Sequence, residues 1–253
     1  MVGPLLPGRN AVIYGGGGAI GGAVARAFAR EGARVFLAGR TQGPLDLVAG
    51  DIRAAGGTAD TALVDALDEA AVDAHVDAIV AEAGSLDVTL NVVSHGDVQG
   101  TPLAEMSVAD FEAPVVTGLR TNFITARAAA RHMIRQGSGV MLFFGGDGEP
   151  MAEFNLGGLQ VGLTAIESLR PQLAMELGRH GIRVLSLQSG GVTETLPDEE
   201  WAKPIVDDIA GRTMLGRAAG LADVGNVAAF AASDLAASLT GTKLNISVGT
   251  MID

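Results

Sequence analysis

The stretch "NAVIYGGGGAIGGAVARAFAR", residues 10–30, decides the fold. Its first five residues form a short apolar run that enters four glycines at 15–18 directly. From Ile20 onward the apolar residues recur at helical spacing, with Ile20, Val24, Ala27 and Phe28 on one face. A strand passing through glycines into a helix fits a phosphate-cradling turn. Glycines let the backbone approach a pyrophosphate, and the helix N-terminus offers unpaired N–H groups and a favourable dipole. The same residues also fit a plain strand-to-helix turn, so the rest of the chain has to decide.

Outward from that turn the pattern alternates. "ARVFLAG" at 33–39 reads as a second buried strand, and 46–57 as a helix stopped by Gly56 and Gly57. Further strands are expected at 58–64, 86–93, 139–144, 182–188 and 243–248. Helices are expected at 68–83, 107–135, 156–179 and 221–233, with a kink at Pro171, whose missing N–H and ring clash cost ~3 kcal/mol. Strands alternating with helices imply βαβ units, and wholly apolar strands imply a parallel sheet covered on both faces. No linker, composition shift or internal repeat divides residues 1–253. The expectation is a single doubly wound α/β domain with about seven strands.

One segment breaks the rhythm. Residues 189–220 carry Pro197, Pro204 and the chain's one tryptophan, Trp201. A long insertion after the C-terminal end of a strand is where such folds place a substrate lid, although a solvated surface loop reads the same way.

Composition narrows the partners. Apolar residues make up 48% and aromatics 4%, so the core must be built from Ala, Val, Leu and Ile. With 17 basic against 29 acidic residues and no basic run, nucleic acid and anionic membrane are not expected partners. The absence of cysteine removes disulfides, thiolate metal sites and a cysteine nucleophile, and no metal is expected. "MVGPLLPGRN" lacks a charged region followed by a long apolar one, and no apolar stretch is long enough to span a bilayer. A cytoplasmic protein acting on a small-molecule substrate or ligand is expected.

The chain resembles the short-chain dehydrogenase/reductase family along essentially its whole length, which implies a Rossmann-type domain. The resemblance rests on "YGGGGAIGG" at 14–22, "VDALD" at 64–68, "LDVTLNVVS" at 86–94, "ELGRHGIRV" at 176–184 and "ASDLAASLTGTKLNISVG" at 232–249. Against the family's Thr-Gly-x-x-x-Gly-x-Gly, Tyr14 replaces the threonine and Ala19 the middle glycine. The resemblance assigns cofactor contacts to Gly15, Gly17, Gly18, Ala19, Ile20 and Gly21 in the turn. It adds Asp65 and Ala66 at the adenine, then Asn91, Val92 and Val93 after the fourth strand. Asn91 matches the first residue of the family's Asn-Asn-Ala-Gly, from which Val92, Val93 and Ser94 depart. Gly190, after Gln188 and Ser189, falls near the nicotinamide.

The end of the second strand reports the cofactor. A carboxylate there would bind both ribose hydroxyls of NAD and repel a 2′-phosphate. This chain has Gly39 at that position and Arg40 beside it, and a guanidinium suits a phosphate dianion. NADP(H) is therefore expected.

The catalytic end departs from the family. Its serine, tyrosine, lysine and helical asparagine map by spacing onto Gly146, Leu159, Leu163 and Gly118. A shift of register recovers neither the tyrosine nor the lysine, because Tyr14 is the one tyrosine and Lys203 and Lys243 are the lysines. A positioned general acid or base contributes ~10²–10⁴-fold. Substitutes in the sequence are Asp147, just after the serine position, and His95, after the fourth strand; an acidic loop and a lone histidine are both more often structural. Three functions stay open: an NADP(H)-dependent oxidoreductase with an unusual proton source, a cofactor-binding sensor or partner subunit, and a cyclase-like catalyst. The family also builds a subunit interface from the helix at 156–179, so a homodimer or homotetramer is implied.

Overall fold

The computed structural model describes residues 3–145, 155–196, 199–200 and 202–251. Seven strands, β1 (Asn10–Tyr14), β2 (Arg34–Gly39), β3 (Thr58–Leu63), β4 (Val88–Asn91), β5 (Gly139–Gly145), β6 (Ile182–Gln188) and β7 (Thr242–Asn245), form one sheet. All neighbours pair in parallel, in the order β3-β2-β1-β4-β5-β6-β7. The order reverses between β1 and β4, which opens a crevice at their C-terminal ends.

Helices α1 (Ala19–Arg30), α2 (Gln42–Ala54) and α7 (Leu221–Ala232) cover one face; α3 (Glu69–Ala83), α4 (Val108–Gln136) and α5 (Gly158–Leu177) cover the other. Strand alternation feeds both layers. Ala11 and Ile13 of β1 join the α1–α2–α7 core, whereas Val12 and Tyr14 join the α3–α4–α5 core. Burial on two faces is why the central strands read as continuous apolar runs. Helices α4 and α5 lie so close that a Cβ at Gly158 would fall 2.0 Å from the carbonyl oxygen of Phe111.

The observed boundaries differ from expectation in places with physical causes. Helix α2 starts at Gln42 rather than 46, because Pro44 falls in the first turn, where a missing N–H breaks no helical bond. It ends at Ala54, ahead of Gly56 at φ +85°. Helix α5 continues through Pro171, and α4 through Pro114, without interruption.

The larger difference lies in 189–220. This segment holds a 3₁₀ turn at Thr193–Thr195 and a helix not anticipated from the sequence, α6 (Lys203–Gly211). An isolated bridge between the buried Val192 and Ala219 closes its base. Beside that bridge the Glu194 carboxylate accepts the N–H of Leu221 at the start of α7. The two ends of the segment are thus joined.

Candidate active site

The glycine turn brings bare backbone to the crevice. Gly15 sits at φ +83°, and a Cβ there would stand 2.6 Å from the carbonyl oxygen of Val92. A Cβ on Gly21 would fall 2.3 Å from the carbonyl oxygen of Gly15. Gly16 tucks against Leu37, and Gly17 against Pro44 of α2. Gly15 and Gly16 donate to Ala38 O at 2.8 and 3.2 Å, and Gly18 to Gly15 O at 3.0 Å. Gly18 is the N-cap of α1 and has no side chain to cap it. The first amides of α1, those of Ala19, Ile20 and Gly21, are therefore left without a side-chain cap, an arrangement that suits an anion. These residues fit a dinucleotide pyrophosphate: the turn is closed to side chains where a phosphate would approach, and it is open in hydrogen bonding.

On the other side of the switch, Asn91 is buried and both ends of its amide are engaged internally. Its Nδ2 donates to Thr125 Oγ1 at 3.2 Å, and its Oδ1 accepts from Val93 N at 2.9 Å. Val92 N donates to Tyr14 O at 2.9 Å. Asn91 thus pins the exit of β4 to α4, leaving the backbone of 92–93 on the crevice wall.

The edge toward β2 and β3 carries the remaining expected cofactor residues. Arg40 is exposed just past β2 and has no hydrogen bond or ion pair among the described residues. Gly39 is not forced by packing, since a Cβ there would meet Leu45 Cδ2 at an ordinary 3.5 Å. Asp65 is exposed after β3 and accepts from Leu67 N at 3.0 Å, while Ala66 is buried. Beyond β6, Gly190 lies under the C-terminal segment; a Cβ there would collide with Thr250 Oγ1.

The Tyr14 side chain is enclosed in the α3–α4–α5 core. It is 1% exposed, packs edge-on to His75 with ring centroids 5.8 Å apart, and has its hydroxyl 3.4 Å from His75 Nδ1. Burial, with the Asp73 charge adding, raises its hydroxyl well above the ordinary phenol value. Burial likewise lowers the His75 imidazole to about 4. A neutral phenol locked in the α3–α4–α5 core offers no proton to a substrate.

At the catalytic end, Leu159 and Leu163 occupy consecutive turns of α5, both half-buried. A Cβ on Gly145 would stand 3.0 Å from Leu163 Cδ2, so this leucine lies against the end of β5. Gly118 faces α5 and the β4 loop: a Cβ there would stand 3.1 Å from Ile166 Cδ1 and 3.2 Å from both Cγ and Cδ2 of His95. His95 and the asparagine position are therefore brought together. Burial lowers the His95 imidazole, partly opposed by Asp97. Gly146 and Asp147 lie outside the described residues. One turn beyond Gly118, Asn122 is buried with its Nδ2 donating to Gly118 O at 2.8 Å, so it turns back on its own helix.

The strand expected at 243–248 is shorter in the structure: β7 ends at Asn245, and the residues after it turn back over this end. Met251 O accepts from Asn245 Nδ2 at 2.9 Å, and Leu215 N donates to Val248 O at 3.4 Å, joining the residues after β7 to the 189–220 segment. Val248 adopts φ +57°, strained for a β-branched residue. No local sequence signal marks it.

Comparison with known proteins agrees with this architecture. Residues 17–251 match a family model described as enoyl-(acyl carrier protein) reductase. The chain is 30% identical to gluconate 5-dehydrogenase of Gluconobacter oxydans, over 98% of this chain and 96% of that one. It is 27% identical to D-threitol dehydrogenase of Mycolicibacterium smegmatis, over 98% and 94%. Among solved structures, a short-chain type dehydrogenase/reductase from Mycobacterium marinum superposes with a TM-score of 0.86 at 26% identity, covering 98% of this chain and 97% of that one. A gluconate 5-dehydrogenase from Burkholderia cenocepacia in complex with NADP and tartrate gives 0.85 at 27%, covering 97% and 96%.

Proposed function

The chain belongs to the short-chain dehydrogenase/reductase family, and from that premise we propose that it is an NADP(H)-dependent oxidoreductase with an atypical active site. The observation that carries this reading is the turn at the β1/β4 switch, where backbone approaches backbone and α1 presents uncapped amides. Gly39 and Arg40 support the 2′-phosphorylated cofactor, as does the NADP found in the related gluconate 5-dehydrogenase. The bound nicotinamide would supply hydride exchange. The chain's own residues bind and orient it: Gly15–Gly21 at the pyrophosphate, Arg40 at the 2′-phosphate, and Asp65 and Ala66 at the adenine.

The active site is atypical because Leu159, Leu163 and Gly118 stand where the family's tyrosine, lysine and asparagine are expected. Two apolar side chains on one face of α5 also favour a second reading, a protein that binds the dinucleotide without turnover. Incubating the pure protein with NADPH and a panel of carbonyls, enones and imines, and with NADP⁺ and a panel of polyols and sugar acids, separates the two. Change in nicotinamide absorbance well above the protein-free rate supports the oxidoreductase. Tight NADPH binding with no turnover supports the sensor or partner subunit.

The proposed assembly is a homodimer or homotetramer formed through α4 and α5. Val116, Leu119 and Phe123 of α4 and Val161 of α5 are exposed apolar residues that a second copy would cover. Sedimentation of the wild type and Phe123→Glu, with the variant running as a monomer, is the expected outcome.

A further inference from the structure

His95 is unusual among the chain's four histidines. His75 is beside Tyr14 in the core, His132 pairs with Asp77, and His180 contacts Arg179. The His95 ring instead lies over Gly118 and has no hydrogen bond among the described residues. Its place follows from the fold. Gly118 on α4 has room for the ring only because it lacks a side chain, and Ile166 of α5 also packs against Gly118. Ile166 comes one turn after Leu163, which touches the end of β5. The imidazole thus lines the space beyond the C-terminal ends of β4 and β5, the half of a doubly wound sheet opposite the β2 and β3 edge where Arg40 stands.

We propose that His95 is the catalytic base of this enzyme, taking the hydroxyl proton of a secondary alcohol as the alcohol is oxidised. The proposal rests on the oxidoreductase reading above. The balance is simple. The substrate's O–H proton passes to a ring nitrogen of His95, its C–H electron pair leaves as hydride to the oxidised nicotinamide dinucleotide, and the carbonyl forms. The imidazolium then returns its proton to water, which reaches His95 because the residue is half-buried rather than enclosed. A neutral imidazole is needed at the start, and its surroundings supply one: Gly118 and Ile166 on the two packed helices are uncharged, and among the described residues Asp97 on its own loop is the charge that acts on it. An apolar α5 face is compatible with this division of labour, because the proton is handled from the β4 loop instead.

The test compares two ligands that differ by the nicotinamide ring alone. Histidine-labelled protein is titrated by NMR with saturating NADP⁺ and with 2′-phospho-ADP-ribose, the His95 signal being assigned with His95→Gln. A positively charged nicotinamide close to the ring lowers its pKa. The expected result is a His95 pKa lower by about half a unit or more with NADP⁺ than with 2′-phospho-ADP-ribose, roughly a threefold change in proton affinity. His132 and His180 are expected to show no such difference. Gly118→Ala, which pushes on the ring, should reduce the effect. Equal His95 pKa values with both ligands bound overturn the proposal while leaving the cofactor reading intact. On uniformly ¹⁵N-labelled protein, failure of both ligands to perturb the Gly15–Gly21 amides overturns the cofactor reading and this base with it. On any polyol or sugar acid that the wild type oxidises, His95→Gln should lower kcat by ~10²-fold or more with little change in KM. An unchanged kcat overturns the proposal, and a protein that binds NADP⁺ but oxidises none of them overturns the oxidoreductase reading on which it rests.

Discussion

Gly15 and Val92 meet across the ends of β1 and β4 so closely that a Cβ on Gly15 would stand 2.6 Å from the carbonyl oxygen of Val92. Gly15 also holds φ +83°, where an L side chain is strained. The approach narrows the floor of the crevice and aims the α1 amides across it. Gly15→Ala should cost about 1–3 kcal/mol in stability and weaken dinucleotide binding together with it. Gly50 provides the contrast: it is exposed in the interior of α2, with nothing near its missing Cβ. Gly50→Ala should stabilise by about 1 kcal/mol and leave binding unchanged. Urea unfolding and a cofactor titration on both variants check the pair.

His75 makes acid sensitivity a property of the α3 core. Its folded pKa, lowered by burial to about 4, lies below the ordinary 6.5. The folded state therefore binds fewer protons than the unfolded one as pH drops. The stability linked to this group is fully present above pH 6.5 and is lost as pH falls toward 4, in total roughly 3 kcal/mol. His75→Gln should flatten that part of the stability profile, whatever it costs at neutral pH through lost packing on Tyr14. Unfolding free energies at closely spaced pH values across the window would show the difference; parallel profiles would count against it.

Reinstalling the family residues should not recreate a carbonyl reductase. Leu163 touches the end of β5 and lies half-buried, so Leu163→Lys puts an amine among apolar neighbours, where desolvation drives it toward the neutral form. A neutral amine cannot lower the pKa of a tyrosine at 159. The combined Leu159→Tyr, Leu163→Lys and Gly146→Ser variant is expected to reduce a carbonyl panel no faster than wild type. A tenfold gain in kcat/KM would show a pocket still shaped for the family reaction.

The joined ends of the 189–220 segment depend on one carboxylate. Glu194 accepts the N–H of Leu221, an otherwise unpaired donor at the start of α7, next to the Val192–Ala219 bridge. Glu194→Ala should cost about 1 kcal/mol, as lost helix-terminal acceptors do, and loosen both ends of the segment. Limited proteolysis should then cut between Val192 and Ala219 several times faster than in wild type, with the rest of the chain equally protected.

Most of the sheet was legible because burial on two faces leaves a strong mark: Ala11, Val12 and Ile13 are all apolar, since each serves one core or the other. The turn was legible because Gly15 and Gly21 are required by close backbone approach. Helix α6 was not, because Pro197 and Pro204 read as breakers. Pro204 in fact falls in the first turn, where its absent N–H costs nothing. The contact of His95 with Gly118 was also hidden. A histidine in a loop and a glycine in a helix carry no mutual signal until α4 is laid against the end of β4.

Cofactor choice is decided where β2 ends. NADPH and NADH differ by the 2′-phosphate, so whatever discriminates them must surround that group. Arg40 is exposed and unpaired among the described residues, which leaves its guanidinium available for a phosphate without breaking an existing ion pair. A hydrogen bond to a charged group contributes about 1.5–3 kcal/mol, roughly 10- to 150-fold in affinity. Arg40→Ala should weaken NADPH by that factor and leave NADH nearly unchanged, and the wild-type preference should shrink as salt is added. Gly39 supplies the converse test, because a Cβ there meets Leu45 at an ordinary 3.5 Å and an aspartate can be introduced without disturbing the turn. Gly39→Asp combined with Arg40→Ala should reverse the preference toward NADH by placing a carboxylate against the ribose hydroxyls. Fluorescence titration of both cofactors on the wild type and the two variants checks this directly. A wild type that already prefers NADH, or equal weakening of both cofactors in Arg40→Ala, would overturn the assignment of this arginine to the 2′-phosphate.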